Sequence, residues 1–281
     1  MTFPTHITGR KLAAVAVTAL ACSVMALASH AGEADLGTDR DAFTPSTHTI
    51  PARSLLMEAS SVYIDNRSGL PTNNYPEWLL RIGATERFEW RFGVNYGVGS
   101  QGTIVTSVEV GEGTPDGRRL YESSLLYGFK LGLSEQDGWL PESCFIMEGT
   151  TPMQGDVLGT VPVATGAAGW ELPVQFPLRG AEPWRLDVAV RYAYSEGLGG
   201  WFSRWTPSTV LRMPVTERLE VHTEWFGSYP VGAPGRSGEP FFSPGMHVMV
   251  TKNLELGVRV GWGLTSETAP FFSDAGMGWR W

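Results

Sequence analysis

Apolar and polar residues alternate along much of the chain. The clearest example is 254–263, where Leu, Val and Trp occupy every second position and Glu, Gly and Arg lie between them. The same pattern occurs at 184–194 and 88–96. A period of two predicts β-strands whose two faces meet different surroundings, and signals for helices are scarce. The sequence therefore predicts an all-β protein.

The polar face of these strands carries charges of both signs together with glycine. Such a face suits a wet lumen, and the apolar face then meets lipid. A strand spans a bilayer with roughly 9 to 11 residues, of which only every second one is apolar, so mean hydropathy stays near zero, as it does here. A soluble β-sandwich, with the apolar face as its core, is the alternative that periodicity leaves open.

We predict a closed antiparallel transmembrane β-barrel of twelve strands, with both ends of the mature chain on the periplasmic side. The predicted strands are 55–65, 77–83, 88–98, 120–131, 141–151, 169–178, 183–195, 205–213, 217–229, 241–250, 253–263 and 271–281. Segments 103–110 and 156–164 have weaker strand patterns. If both are strands, the number becomes fourteen, which is the alternative.

Three short segments with similar sequences are predicted to be tight hairpins. They are 84–89, 215–220 and 250–255. Longer stretches rich in Gly, Pro and Ser alternate with them, as periplasmic turns alternate with extracellular loops in membrane barrels. In each repeat a basic residue precedes the last glutamate by eight positions: Arg81 with Glu89, Arg212 with Glu220 and His247 with Glu255. We predict that each pair lies roughly opposite across its hairpin and sets the register.

The first 31 residues predict a secretory signal peptide, because Arg10 and Lys11 precede an apolar run that ends in small residues. We expect cleavage after Ala31, and Ala28 offers a second site. An uncleaved anchor helix and lipoprotein processing at Cys22 are the alternatives. Three parts follow from this: a signal peptide at 1–31, a polar periplasmic or lumenal segment at 32–54 that is a candidate partial plug, and a barrel at 55–281.

Removing the signal peptide takes two of the 21 basic residues and none of the 29 acidic ones, which leaves a net charge of −10. Such a charge argues against nucleic acid as a partner. One cysteine, Cys144, stays in the mature chain, so no internal disulfide is expected.

Candidates for chemistry are few. Segment 97–102 matches the dinucleotide fingerprint by letter, but Thr-Ile-Val-Thr follows it in place of a helix. Glu220, His222 and Glu224 project from one strand face about 7 Å apart, and a metal site would require them to converge. We interpret them as pore wall, and we predict no catalytic, cofactor-binding or metal-binding residues and no enzymatic activity.

The charged inward positions are predicted to line the lumen. They are Arg81, Glu89, Arg91, Arg185, Asp187, Arg191, Arg212, Glu220, His222, Glu224, His247, Glu255, Arg259, Asp274 and Arg280. Interleaved signs leave little net field to select ions, so size and aromatic contacts would decide passage. Trp201, Phe226 and Phe272 are candidates for those contacts, and the alternative places them in the aromatic belt at the membrane interface.

Several stretches resemble the meta-pathway phenol-degradation family of outer-membrane proteins. They are 39–45 and 50–59, which look like the family's opening, and 127–130, 135–141 and 221–229, which follow in family order. The chain departs from the family at 150–155, where a leucine-proline-threonine-glycine run is usual. The family has no motif of catalytic residues to carry over. The resemblance implies an outer-membrane barrel regarded as a transporter and linked to aromatic catabolism.

The chain ends with Met277, Trp279 and Trp281 in alternation. This ending resembles the terminal signal that the barrel-assembly machinery recognises in bacterial outer-membrane barrels. We therefore expect a channel in the outer-membrane lipid for passive uptake of small, aromatic or hydrophobic solutes. The alternative is a non-conducting structural or surface-interaction barrel.

Overall fold

The computed structural model describes residues 36–40, 42–67, 69–99, 120–154, 161–178, 181–197, 200–232 and 238–281. The predicted signal peptide and the weaker strand candidate at 103–110 lie outside these residues. In the part of the chain that is described, no helix is long and apolar enough to cross a bilayer.

Twelve antiparallel strands close into a barrel, which confirms the predicted fold. They are β1 (Leu55–Asp65), β2 (Thr72–Thr85), β3 (Phe88–Gly99), β4 (Leu120–Ser134), β5 (Glu142–Gln154), β6 (Val161–Glu171), β7 (Arg185–Gly197), β8 (Gly200–Pro214), β9 (Leu219–Val231), β10 (Glu239–Thr251), β11 (Leu254–Gly263) and β12 (Phe271–Arg280). Each strand pairs with its neighbours in the chain, and β1 pairs with β12 from Leu56↔Arg280 to Asp65↔Phe271. Closure satisfies the backbone groups at every strand edge, as a sheet in lipid requires.

The sixth strand differs most from its predicted position. It was expected at 169–178, and it lies at Val161–Glu171, so the extra candidate at 156–164 overlaps the start of the same strand. The apolar alternation continues past residue 171, but Pro173 and Pro177 cannot donate to a ladder, and this part of the chain forms a turn. Because β3 pairs directly with β4, the barrel closes with twelve strands rather than fourteen.

The two faces of the sheet have opposite character. In β3, Glu89 and Arg91 are buried on the inside, whereas Trp90 and Phe92 are exposed on the outside, each at 45%. An exposed apolar surface around a charged interior is the reverse of a soluble sandwich and suits a barrel surrounded by lipid.

The barrel has two unlike ends. The turn end holds the tight connections at 86–87 and 252–253, and Leu55 and Trp281 meet there through two backbone hydrogen bonds. The loop end holds longer connections such as 264–270. The predicted alternation of short turns and long loops fails around β7, because the long connection 172–184 lies at the turn end and Gly197 pairs with Gly200 at the loop end.

Candidate functional site

Charged side chains line the inner face of the barrel. The predicted lumen-lining residues that are buried there are Arg81, Glu89, Arg91, Asp187, Arg191, Arg212, Glu220, His222, Glu224, His247, Glu255, Arg259 and Asp274. Two others keep more contact with solvent: Arg185 is 12% exposed in its side chain, and Arg280 lies at the turn end, where it donates to the carbonyl of Lys252.

Further charged residues that were not predicted from the sequence also point inward. Glu58, Glu77, Lys130 and Glu148 are buried in the interior as well. Lys130 alternates with apolar Phe129 and Leu131, so the period of two was a usable signal for it. A count of charges restricted to the strongest patterns therefore underestimates how many ionic groups the lumen holds.

Residues 36–40 and 42–54, here called the inner segment, enter the barrel. Leu36 and Ile50 pack together at the turn end, beside the start of β1 and the end of β10. Phe43 instead packs against Phe226 and residues near the loop end. The segment thus runs inward from the turn end to a tip at Phe43 and returns to β1.

Ion pairs hold the base of the inner segment. The carboxylate of Asp39 accepts hydrogen bonds from Arg91 at 2.5 Å and from Lys130 at 3.3 Å, and it lies 3.6 Å from Arg81. All four side chains are almost completely buried. Burial raises the pKa of Asp39, but the three cations lower it by more, so this pKa lies below its usual range.

Arg81 joins the barrel wall to both arms of the inner segment. Its guanidinium donates to Glu89 at 2.7 and 2.9 Å and to Glu58 at 3.3 Å. It also donates to the backbone carbonyls of Gly37, at 2.5 Å, and His48, at 3.1 Å. One arginine on the wall therefore satisfies main-chain groups on the inward and the returning arm at once.

Glu224 holds the tip of the inner segment. Its carboxylate accepts hydrogen bonds from the backbone N–H groups of Phe43 and Thr44, at 2.9 and 2.6 Å, and from the hydroxyl of Thr44 at 2.7 Å. Arg259 donates to the same carboxylate at 3.3 Å. Glu224, predicted as pore wall, here binds a segment from outside the sheet.

An aromatic layer surrounds the tip. The ring of Phe43 stacks on Phe226, with 4.4 Å between centroids and 6° between planes, and the guanidinium carbon of Arg191 lies 4.5 Å from the centroid of Phe43. Phe272 belongs to the same buried cluster. Of the three aromatic candidates from the sequence, Phe226 and Phe272 thus lie inside, and Trp201 is 44% exposed on the outer face.

Two of the three predicted hairpin pairs form. Arg81 binds Glu89 at 2.7 Å, and Arg212 lies 3.6 Å from Glu220. The backbone register aligns Arg81 with Arg91 and Glu89 with Gly83, so the charged pair meets diagonally rather than directly opposite. A long arginine side chain spans that diagonal.

For the third predicted pair, the structure shows contacts to other partners. His247 aligns with Gly257, which gives the same diagonal offset to Glu255. His247 lies instead 3.4 Å from Glu220 on β9, directly opposite it in the register. Glu255 accepts a hydrogen bond from Thr38 of the inner segment at 2.7 Å.

Little space is left beside the base of the inner segment. A cavity of about 10 Å³ lies between Thr38, Arg40, Glu255 and Arg259, which is roughly the volume that one water probe occupies. A larger concavity of about 320 Å³ is lined mainly by outward-facing residues of β1, β10, β11 and β12 and belongs to the outer surface. The inner segment therefore packs closely against this part of the barrel wall.

No family model and no curated protein matches this sequence. Solved structures do resemble it. The COG4313 outer membrane channel from Pseudomonas putida F1 aligns with a TM-score of 0.55 and 12% identity, covering 89% of this chain and 100% of that one. The NanC porin aligns with a TM-score of 0.50 and 7% identity, covering 79% and 98%. At these identities the likeness shows the fold, which is that of outer-membrane β-barrels.

Proposed function

We propose that this protein is a channel of the bacterial outer membrane for the passive uptake of small solutes. The observation that carries the proposal is the closed barrel with an apolar outer face and a charged inner face. Export by a signal peptide at 1–31 and assembly through Met277, Trp279 and Trp281 belong to the same proposal. In this orientation the turn end faces the periplasm.

We further propose that aromatic or hydrophobic solutes are among those that pass. The aromatic layer around Phe43, Phe226 and Phe272 supports this because it offers ring contacts inside the lumen. The interleaved charges support weak selection between anions and cations. The resemblance to the meta-pathway phenol-degradation family points to the same class of solute.

We propose that passage requires the inner segment to move, because its base is bound inside the barrel through Asp39 and Arg81. We therefore place the gate in this segment. The presence of the inner segment inside the barrel also favours the second candidate, a non-conducting structural barrel. The two differ in one measurable property, which is whether the segment can leave its site without unfolding the barrel.

A reversible tether tests this difference. The thiol of Cys144 on β5 lies 3.9 Å from the carbonyl oxygen of Ser46, so the backbone at position 46 lies beside this cysteine, and Ser46→Cys is the variant to test for a disulfide to the wall. We expect the oxidised Ser46→Cys protein to conduct less in planar bilayers, and to admit small phenolic acids into liposomes more slowly, than the same protein after reduction. Adding Cys144→Ser to this variant should abolish the redox effect, which makes it the matched control.

Each outcome separates the candidates. Equal conductance in the oxidised and reduced states would agree with a channel but would refute the proposal that the inner segment is its gate. If neither the reduced protein nor a folded variant lacking residues 36–50 conducts or admits solute, the structural barrel is correct. Mass spectrometry of the oxidised protein verifies that the disulfide has formed.

A further inference from the structure

Two imidazoles and one carboxylate converge on the inner face near the turn end. Glu220 and His222 lie on β9, and His247 lies on β10 directly opposite Glu220. One potential ligand atom from each of the three side chains lies within 4.8 Å of the other two, and all three residues are buried. Glu220 and His222 were predicted to line the pore together with Glu224, but Glu224 binds the inner segment.

The strand register explains this convergence. Opposite His222, β10 carries Gly245, and a Cβ at that position would collide with the imidazole of His222. The missing side chain thus provides the space that the ring occupies beside His247. The two imidazole centroids are 6.2 Å apart. Replacing Gly245 by a larger residue would displace one of the three groups.

We propose that Glu220, His222 and His247 form a binding site for a divalent transition-metal ion such as zinc. Two imidazole nitrogens and one carboxylate oxygen are a ligand set that Zn²⁺ uses in sites with a fourth, open position. Metal–ligand bonds of about 2.0 to 2.2 Å require ligand atoms about 3.5 Å apart. His247 Nε2 and Glu220 Oε1 are already 3.4 Å apart, and a nitrogen of His222 lies within 4.8 Å of a ligand atom on each of them.

Nearby arginines affect which metal ions the site would prefer. Arg212 lies 3.6 Å from Glu220, although Asp187 also holds its guanidinium at 3.3 Å, and Arg218 is buried in the preceding turn. Their positive charge lowers the affinity of the site for ions that bind mainly through carboxylate charge, as Ca²⁺ and Mg²⁺ do. Imidazole must supply most of the affinity, which favours zinc, copper and nickel.

Cobalt(II) is a direct probe of the site, because its visible absorption depends on the ligands and geometry around the ion. The experiment uses the folded full-length barrel in detergent without a histidine tag. We expect one equivalent of Co²⁺ to produce an absorption band that Zn²⁺ abolishes by competition. His222→Ala and His247→Ala should each weaken binding by about tenfold or more.

His48→Ala is the matched control. His48 lies on the inner segment with its side chain 49% exposed, and its ring pairs with Glu142, away from the proposed site. This variant should bind Co²⁺ as the wild type does. Heat-modifiability on gels reports whether each variant is folded, and His222→Gln and His247→Gln replace any alanine variant that is not. Absence of Co²⁺ and Zn²⁺ binding by the wild type, or wild-type affinity in both folded histidine variants, would overturn the proposal.

Discussion

The inner segment is held by different forces at its base and at its tip. At the base, Asp39 sits among three buried cations on the barrel wall. At the tip, the ring of Phe43 lies between Phe226 and Arg191. A buried charge tolerates no loss of its partners, whereas stacked rings lose stability in proportion to the contact removed. The base therefore determines where the segment docks, and the tip adjusts how tightly it fits.

The largest expected effect comes from Asp39→Ala. The substitution leaves the buried Arg91 and Lys130 without this acceptor, which costs about 3 to 5 kcal/mol of docking stability. Limited proteolysis of the inner segment in the folded barrel measures the loss. Asp39→Asn, which keeps the shape, should lose most of the same stability. An Asp39→Ala protein as resistant to protease as wild type would refute the ionic account of the base.

Lowering the pH should weaken the docking of the inner segment at its base by less than Asp39→Ala does. The folded pKa of Asp39 lies below its ordinary value of 3.8, so its contribution is complete at neutral pH and is lost as pH falls through that lower pKa. Protease resistance at the base should therefore stay constant from about pH 7 to pH 5 and fall only below the ordinary value. A loss between pH 7 and pH 5 would assign control to a different group, such as Glu58, whose carboxylate accepts a hydrogen bond from the backbone N–H of Asp39.

Phe43→Leu tests the tip. Leucine keeps an apolar side chain but loses the stack on Phe226 and the contact with Arg191, together about 1 to 2 kcal/mol. Proteolysis should show a weaker effect than for Asp39→Ala, without dependence on pH. If Phe43→Leu releases the segment more readily than Asp39→Ala does, the ranking of base and tip is wrong.

The smallest effect is expected outside the lumen. Arg87 and Glu135 form an ion pair at 2.8 Å, with side chains 61% and 84% exposed. Arg87→Ala should change the unfolding free energy by about 0 to 1 kcal/mol, because solvent screens the pair. Denaturant-induced unfolding of the barrel in detergent measures this. A cost as large as that of Asp39→Ala would show that pairing alone, rather than burial, stabilises the base.

The sequence pattern predicted many of the residues that line the barrel wall, but it did not predict the contacts that they make. Alternation placed Arg81, Glu89 and Glu224 on strand faces whose charged side the structure buries. It failed at 169–178, where apolar residues continue the pattern into a turn that proline excludes from the sheet. It also missed inward groups such as Glu58, which the weaker pattern of β1 concealed.

Local patterning along the chain is sufficient to specify the barrel and the sidedness of its strands. A period of two is a local property, and lipid outside and charge inside give each strand one favourable orientation. Which inward groups contact one another depends on the tertiary structure. Glu224 binds Phe43 across 181 positions of the chain, and His247 lies 3.4 Å from Glu220 on the neighbouring strand. These contacts depend on the closure of the barrel, on the stagger of its strands and on the length of the side chains. The inner segment lies outside the sheet, so no periodic pattern in its sequence predicts its partners.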